Sequence, residues 1–271
     1  MQEHIGIIAG GGKFPRIIAE NLHAAGHFVA ICGFAGHTDQ STGGCADSYA
    51  HLHLGQLGKM ITFFKEHNVT RACMAGSISK PKALDFRPDW RAAKIIFSLK
   101  NKGDDSLLRA IINELEKEGI HIVSSASLAQ GLLCPSGVLT RRGPTENEWK
   151  SIRYGWPIAH ALGSYDIGQC IVVKESMVVA VECLEGTDAT LERGGMLGGN
   201  SCIAIKIVKP GQDERVDLPS IGLGTVKKII AGHYSALAVE AEKTLFFDRE
   251  EALHLADEHG LCIIALPADF S

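Results

Sequence analysis

The sequence predicts an α/β protein of two domains, in which an N-terminal doubly wound parallel sheet is followed by a C-terminal mixed α/β domain. The chain of 271 residues is long for one α/β domain and suits two of about 130 residues each. In the first half, short apolar runs alternate with helical patterns, which is typical of parallel sheets. Residues 131–147 contain two prolines and three glycines and interrupt this alternation.

Five apolar runs predict the strands of the N-terminal domain, residues 1–131. They are HIGIIAG (4–10), FVAICGF (28–34), SYAHLHL (48–54), TRACMAGS (70–77) and IHIVSS (120–125). Helices are predicted from Pro15 to Gly26 and over residues 57–68 and 104–118, the last with five apolar residues on one face. Strands separated by helices in this way predict a Rossmann-like, doubly wound sheet.

The C-terminal domain, residues 148–271, follows an interdomain connection over residues 132–147. Helices are predicted over residues 146–163, with a disturbance at Pro157, and over 187–198, with Thr187 or Asp188 as the N-cap. Further helices are predicted over 224–233 and 249–260, and strands over 168–176, 177–186, 201–209, 236–241, 244–248 and 261–267. The pattern predicts a mixed α/β domain that is not a copy of the first.

Composition and charge argue against several classes of protein. The net charge is −4 and no basic run is longer than a pair, so nucleic acid is not an expected partner. No segment approaches 18 consecutive apolar residues, and the N-terminus does not resemble a signal peptide, so we expect neither a membrane span nor export. The eight cysteines include no CxxC pair, as expected for reduced core residues of a cytoplasmic protein.

A glycine-rich loop, IIAGGGKFP, joins the first strand to the first helix. Gly10, Gly11 and Gly12 let the backbone approach an anion, and the helix that follows Lys13 offers N–H donors and a positive dipole end. The loop is therefore predicted to line a ligand site, although a plain tight turn has the same composition. Known nucleotide fingerprints fit poorly, because Pro15 takes the place of the third glycine of GxGxxG and no acid ends the second strand.

The motif GSISKP (76–81) follows the fourth strand. In parallel α/β sheets, ligands bind beyond the carboxyl ends of the strands. Ser77, Ser79 and Lys80 are thus positioned for a phosphate or a sugar, and an ordinary surface loop is the alternative.

Two further motifs place polar side chains at predicted helix starts. GDDSLL (103–108) has Asp104 and Asp105 in a first turn, where the helix dipole favours acids. EGTDA (185–189) brackets a turn with Glu185 and Asp188, and Thr187 offers a hydroxyl. Helix capping explains either motif as well as a binding site does.

The stretch KPGQDERVDLP is the least ordinary in the sequence. It brings Lys209, Gln212, Asp213, Arg215 and Asp217 together within nine residues. If it is extended, both aspartates and the arginine point to one face, because side chains alternate along a strand. Such a strand is either a solvated edge or a site for a divalent cation and a phosphate, the mixture that phosphoryl chemistry requires.

These motifs, in this order and over nearly the whole chain, resemble the LpxI family of UDP-2,3-diacylglucosamine pyrophosphatases. The resemblance rests on GGGKFP, GSISKP, GDDSLLRAI, EGTDA and KPGQDERVDLPSIG, the last followed by Thr225. It implies a cytoplasmic enzyme of lipid A synthesis that hydrolyses the pyrophosphate of UDP-2,3-diacylglucosamine, giving UMP and 2,3-diacylglucosamine 1-phosphate (lipid X). It also implies water attack on the β-phosphorus, a homodimer, and transient contact with the surface of the inner membrane.

The resemblance also implies roles for individual residues. Asp213 and Asp217 would be the catalytic acids and the ligands of a divalent metal, Mg²⁺ or Mn²⁺, one of them matching the essential aspartate of the family. The residues expected to bind substrate are Gly10, Gly11, Gly12, Lys13, Ser77, Lys80, Asp104, Asp105, Gly186, Thr187, Asp188, Lys209, Gln212 and Arg215. Two other readings stay open, namely a Rossmann-type nucleotide-dependent oxidoreductase and a non-catalytic protein that binds a lipid or a sugar nucleotide.

Overall fold

The structure is a computed structural model that describes residues 2–78, 87–99, 104–129, 131–211 and 218–270, without the side chains of residues 104 and 105. Within these ranges the chain forms two compact units, divided in sequence between Ala129 and Gly131. The first unit contains a parallel sheet and the second a mixed sheet, which confirms the predicted fold class.

The sheet of the first unit has the strand order β3-β2-β1-β4-β5, and all its pairs are parallel. Its strands are β1 (His4–Ala9), β2 (Phe28–Phe34), β3 (Ser48–Leu52), β4 (Arg71–Ala75) and β5 (His121–Ile122). Its helices are α1 (Phe14–Ala24), α2 (Leu57–Glu66), α3 (Trp90–Ser98), α4 (Asp104–Lys117) and α5 (Ser125–Leu128), with a 3₁₀ helix at Gln40–Cys45. The strand order reverses between β1 and β4, so the carboxyl ends of these two strands form the position where such sheets bind ligands.

Apolar side chains from the helices cover the first sheet. Phe64 of α2 and Leu115 of α4 are fully buried in the core that also contains Cys32 and Ala72. Helix α1 contacts β1, β2 and β4 and buries Ile18 completely. The central strand β1 and its neighbour β2 are almost wholly buried, as expected for parallel strands covered by helices.

The sheet of the second unit has the order β6-β13-β11-β9-β7-β8. Its strands are β6 (Gly137–Val138), β7 (Cys170–Lys174), β8 (Met177–Val181), β9 (Ile203–Lys206), β11 (Ala236–Glu240) and β13 (Cys262–Leu266), and β10 (Ser220–Ile221) pairs with β12 (Leu245–Phe246). Strands β9, β11 and β13 are parallel, whereas β6, β7 and β8 pair antiparallel to their neighbours. The helices are α6 (Glu146–Ser164), α7 (Gly186–Gly198), α8 (Leu223–Ala231) and α9 (Arg249–Glu258).

Two cores lie on the two faces of this sheet. Trp156 of α6 is fully buried against Ile205 and Ile264 on one face. On the other face, Leu191 of α7 and Val226 of α8 pack in a separate cluster. A helical layer on each face therefore buries both sides of the mixed sheet.

The segment expected to connect the domains, residues 132–147, makes its contacts within the second unit. Strand β6 pairs with β13. Arg142 forms a bidentate ion pair with the buried Glu148, with both distances 2.8 Å. Glu148 and Thr145 also complete a capping box at the start of α6. Helix α6 then continues through Pro157 to Ser164.

Candidate functional site

The glycine loop and the GSISKP motif lie side by side in the first unit. The amide of Gly10 donates to the carbonyl oxygen of Ala75 at 2.7 Å. The amide of Gly11 donates to the carbonyl of Ser77 at 2.8 Å, and the amide of Ser77 returns a bond to the carbonyl of Gly11 at 3.3 Å. The structure thus brings Gly10, Gly11 and Gly12 next to Ser77 at the carboxyl ends of β1 and β4.

Two of these positions require glycine. A Cβ atom at Gly10 would lie 2.5 Å from the carbonyl oxygen of Ser77, and Gly12 has a φ of +85°. Helix α1 begins directly after Lys13, which is exposed. The side chain of the N-cap residue Lys13 makes no capping hydrogen bond and the first turn contains no acid, so the positive end of the helix dipole suits an anion.

Thr38 fixes the loop beside these glycines, and sequence reasoning missed it. The buried Thr38 hydroxyl accepts from the amide of Phe34 at 2.7 Å and donates to the carbonyl of Ala9 at 2.5 Å. The neighbouring His37 carbonyl oxygen would lie 2.8 Å from a Cβ atom at Gly11. The only sequence signal was a threonine in a glycine-containing turn after a strand, which is too common to single out.

In the second unit, the EGTDA motif forms the start of α7. The Thr187 hydroxyl donates to Oε1 of Glu182 at 3.0 Å, so the prediction of Thr187 or Asp188 as N-cap is wrong; Glu185 holds that position. Thr187 has this role because Glu182, at the end of β8, is buried and needs a donor. Its other oxygen, Oε2, is also buried and has no hydrogen-bond partner in the part of the chain that the structure describes.

The other acids of this motif form surface ion pairs. Glu185 contacts Arg193 at 2.6 Å, and the pKa of its carboxyl is lowered by backbone hydrogen bonding and by this arginine. Asp188 lies 3.6 Å from Lys228, and both side chains are exposed. These contacts place Asp188 on the surface of α7, where exposed pairs contribute little to stability.

A buried acid and a buried base flank Cys170 in one row across the second sheet. The amide of Glu182 donates to the carbonyl of Cys170 at 2.9 Å, and Cys170 is paired with Lys206 in the register of β7 and β9. The Lys206 ammonium donates to the carbonyl of Ser220 at 2.8 Å. Burial raises the pKa of the Cys170 thiol to about 12, so this thiol is neutral near pH 7.

Lys209 follows β9 and is held by an ion pair. Its Nζ atom lies 2.6 Å from Oδ1 of Asp166, which is mostly exposed. Lys209 is the first residue of the charged stretch KPGQDERVDLP, so its ammonium stands close in sequence to the predicted catalytic acids. The exposed aspartate leaves this ammonium near solvent.

Glu240, at the end of β11, is a second buried acid that sequence reasoning missed. It accepts from the amide of Val208 at 2.9 Å and lies 3.6 Å from Nε2 of His160 and 3.7 Å from Lys243. Burial would raise the pKa of its carboxyl, but His160 and the Val208 amide outweigh this and lower it. Conversely, Glu240 raises the pKa of the His160 imidazole, against the effect of burial.

Several predicted site residues lie outside the described ranges. These are Lys80, Gln212, Asp213, Arg215 and Asp217, and the side chains of Asp104 and Asp105 at the start of α4 are likewise not described. Their roles therefore remain predictions. In the described ranges, no three His, Cys, Asp or Glu side chains are grouped as metal ligands, and no helix is long and apolar enough to cross a membrane.

A Rossmann-like unit with a glycine loop, followed by a mixed α/β unit with buried acids, defines a two-domain α/β protein. The LpxI N-terminal domain matches residues 4–132 and the LpxI C-terminal domain matches residues 135–264. The chain therefore belongs to the LpxI family. It is 34% identical to the UDP-2,3-diacylglucosamine pyrophosphatase LpxI of Caulobacter vibrioides. The alignment spans 275 residues and covers 97% of each of the two chains.

Solved structures are far more distant. An N5-carboxyaminoimidazole ribonucleotide synthetase is 16% identical, with a TM-score of 0.28 over 63% of this chain and 37% of that chain. The biotin carboxylase domain of a single-chain bacterial carboxylase is 12% identical, with a TM-score of 0.26 over 64% and 37%. Neither bears on the function of this chain.

Proposed function

We propose that this chain hydrolyses the pyrophosphate bond of UDP-2,3-diacylglucosamine to UMP and 2,3-diacylglucosamine 1-phosphate, a step of lipid A synthesis. The observation that carries the proposal is the similarity to the Caulobacter vibrioides pyrophosphatase, which extends over 97% of both chains and includes both domains. A shared activity is expected when relatives align from end to end and not through one common domain.

The geometry of each unit supports anion chemistry. In the first unit, the loop from Gly10 to Gly12 lets the backbone approach a ligand closely, and the N-terminus of α1 presents the positive end of the helix dipole to phosphate oxygens. In the second unit, Lys209 lies three residues beyond the end of β9 and holds an ammonium group near solvent. A helix N-terminus and a lysine of this kind bind phosphate groups without taking part in proton transfer.

The proposed chemistry is attack of water on the β-phosphorus with UMP as leaving group. Asp217, or Asp213 in its place, would orient the attacking water and accept its proton, while Gln212 and Arg215 would hold phosphate oxygens. Asp213 and Asp217 are also oxygen donors four residues apart, a donor chemistry that fits Mg²⁺ or Mn²⁺. Such a cation would offset the negative charge that develops on the phosphate oxygens.

Turnover by the purified full-length chain tests this proposal directly. With UDP-2,3-diacylglucosamine and Mg²⁺, UMP and the diacylated sugar phosphate should appear in equal amounts, measured by chromatography and mass spectrometry. UDP-glucose, which lacks acyl chains, is the matched control and should not be hydrolysed appreciably. Tight binding of the lipid substrate without release of UMP would instead indicate a non-catalytic binding protein.

A cytoplasmic location and a homodimeric state are part of the same proposal. Both rest on the family resemblance. Cell fractionation measures the location, and light scattering on the purified chain measures the oligomeric state.

A further inference from the structure

Helix α3 exposes its two largest apolar side chains. Trp90 is 86% exposed and Phe97 is 90% exposed. They are seven residues apart and thus lie on one side of the helix, with the exposed Lys94 between them. The opposite side contains Ala92, which is buried, and Ile95, which packs against the core of the first unit. The helix therefore has two apolar sides, and the fold of the unit uses one of them.

The sequence around this helix is strongly basic. Residues 80–102 include seven basic and two acidic residues, although the whole chain has 27 basic and 31 acidic residues. One of the two acids, Asp89, caps α3 by accepting from the amide of Ala92 at 2.9 Å. Arg87 and Lys94 are exposed, so two exposed cations accompany the exposed aromatic side chains in this part of the sequence.

We propose that the α3 surface, made of Trp90, Lys94 and Phe97, binds an anionic lipid bilayer. Aromatic side chains beside lysine and arginine are typical of helices that lie in the membrane interface. The aromatic rings enter the boundary between headgroups and acyl chains, while the basic side chains remain at the level of the anionic headgroups. Two copies of this surface would repel each other, which favours a lipid surface over self-association.

This inference rests on the proposed function, because a diacylated substrate resides in a bilayer. A protein that removes such a substrate from the bilayer has to approach its surface. Peripheral membrane binding depends on buried apolar area and on electrostatic attraction to anionic lipids, and an exposed apolar and basic helix provides both.

Flotation with vesicles tests the inference on the full-length chain. The chain should bind vesicles of phosphatidylcholine mixed with phosphatidylglycerol and bind pure phosphatidylcholine weakly. The double variant Trp90→Ala/Phe97→Ala should bind the mixed vesicles at least about tenfold more weakly, and Lys94→Glu by about as much. Raising the ionic strength to about 1 M, where the Debye length falls to about 3 Å, should weaken wild-type binding too. Tyr165→Ala, which removes an aromatic residue that is 79% exposed in the second unit, is the matched control and should bind normally.

Tryptophan fluorescence localises the contact. Trp90 is mostly exposed, whereas Trp156 is 1% exposed, so insertion should shift the emission of Trp90 to shorter wavelength. Trp90→Phe should keep vesicle binding and lose most of this shift. Wild-type binding that the double variant retains, or a double variant that changes from dimer to monomer with no change in vesicle binding, would overturn the inference.

A turnover assay separates this inference from the proposed function. The double variant should match the wild type on detergent-dispersed UDP-2,3-diacylglucosamine and lose at least about tenfold on substrate presented in anionic vesicles. A wild type that is inactive in detergent would contradict the proposed function, and vesicle flotation would still decide the role of α3. Equal turnover of both proteins on vesicles would contradict the role of α3 alone.

Discussion

The backbones of Gly11 and Ser77 pair with each other, although these residues follow different strands of the first sheet. The two hydrogen bonds between them, at 2.8 and 3.3 Å, hold the glycine loop against the GSISKP motif. This contact fixes the loop at the position where parallel sheets of this order bind ligands. A ligand role for the loop can therefore be tested by changes that leave this pairing intact.

Gly12→Ala should impair substrate binding by more than its effect on stability explains. Gly12 and Gly26 have φ values of +85° and +78°, and a Cβ atom at either would meet no atom within 4 Å. Both alanine variants should therefore lose about 1–2 kcal/mol of stability, measured by urea unfolding. Only Gly12→Ala should lower kcat/KM by at least about tenfold, since its methyl group enters the space where phosphate would approach. Equal kcat/KM values for the two variants would show that the glycine loop does not contact the substrate.

The sequence predicted this part of the molecule well. Strand β2 occupies Phe28–Phe34 as predicted, because a short apolar run between glycine-containing turns suits a buried strand better than a helix. The proximity of the glycine loop and Ser77 followed from parallel strands, whose carboxyl ends share one edge. By contrast, no sequence pattern indicated α3, because Trp90 and Phe97 face outward and obscure the apolar periodicity of the helix.

The buried acids could not be predicted, for a different physical reason. Glu182 directly follows β8 and Glu240 ends β11, and ionisable residues are usually exposed. Their burial depends on donors that other parts of the chain supply, such as the hydroxyl of Thr187 on α7 and the amide of Val208 after β9. Sequence spacing places Thr187 at a helix start, where capping is its most common role, and gives no sign of the sheet beside it.

Thr187→Val should destabilise the second unit by about 1–3 kcal/mol. Among the described residues, the Thr187 hydroxyl is the only hydrogen-bond donor to the buried Glu182 side chain, and valine removes it. Thr187→Ser keeps the hydroxyl and should restore most of this loss. Thr62→Val is the matched control. The Thr62 hydroxyl donates to the carbonyl of Gly58 on the exposed side of α2, so this variant should change stability by less than about 0.5 kcal/mol. Urea unfolding measures all three, and equal losses in Thr187→Val and Thr62→Val would contradict the role given to Glu182.

The pair of His160 and Glu240 should stabilise the fold most in mildly acidic solution. The raised pKa of His160 gives stability that is complete below its usual 6.5 and is lost as the pH rises through the folded-state value. The lowered pKa of Glu240 gives stability that is complete above its usual 4.5 and is lost as the pH falls through the folded-state value. The pair therefore contributes fully between about pH 4.5 and 6.5.

His160→Gln should accordingly cost more stability at pH 6 than at pH 8.5. Thermal or urea unfolding at both pH values measures the difference between variant and wild type. His254→Gln is the control, because His254 and Glu258 form an exposed pair at 3.5 Å that contributes little. A cost for His160→Gln that is the same at both pH values would show that the imidazole acts through packing alone.

Asp217→Ala should reduce turnover at least about a hundredfold, because it removes a group proposed to act on the attacking water or to hold the cation. Asp213→Ala identifies which of the two acids is essential, and Asp269→Ala, at an exposed aspartate, should be neutral. Excess EDTA should abolish wild-type activity, and added Mg²⁺ or Mn²⁺ should restore it. Full activity in EDTA would mean that no metal is needed and that Lys80, Lys209 and Arg215 alone offset the negative charge on the phosphate oxygens.

Isotope labelling distinguishes the two phosphorus atoms that water can attack. Attack at either one gives the same products, so product analysis alone is uninformative. The charged stretch that includes Asp213, Arg215 and Asp217 belongs to the C-terminal half, and the acyl chains offer the largest area for binding the sugar-linked half of the substrate. Firm binding of that half would present the β-phosphorus to the catalytic acids.

Turnover in ¹⁸O-water should therefore label the diacylated sugar phosphate and leave UMP unlabelled, as read by mass spectrometry. Label in UMP would instead mean attack at the α-phosphorus and a reversed orientation of the substrate.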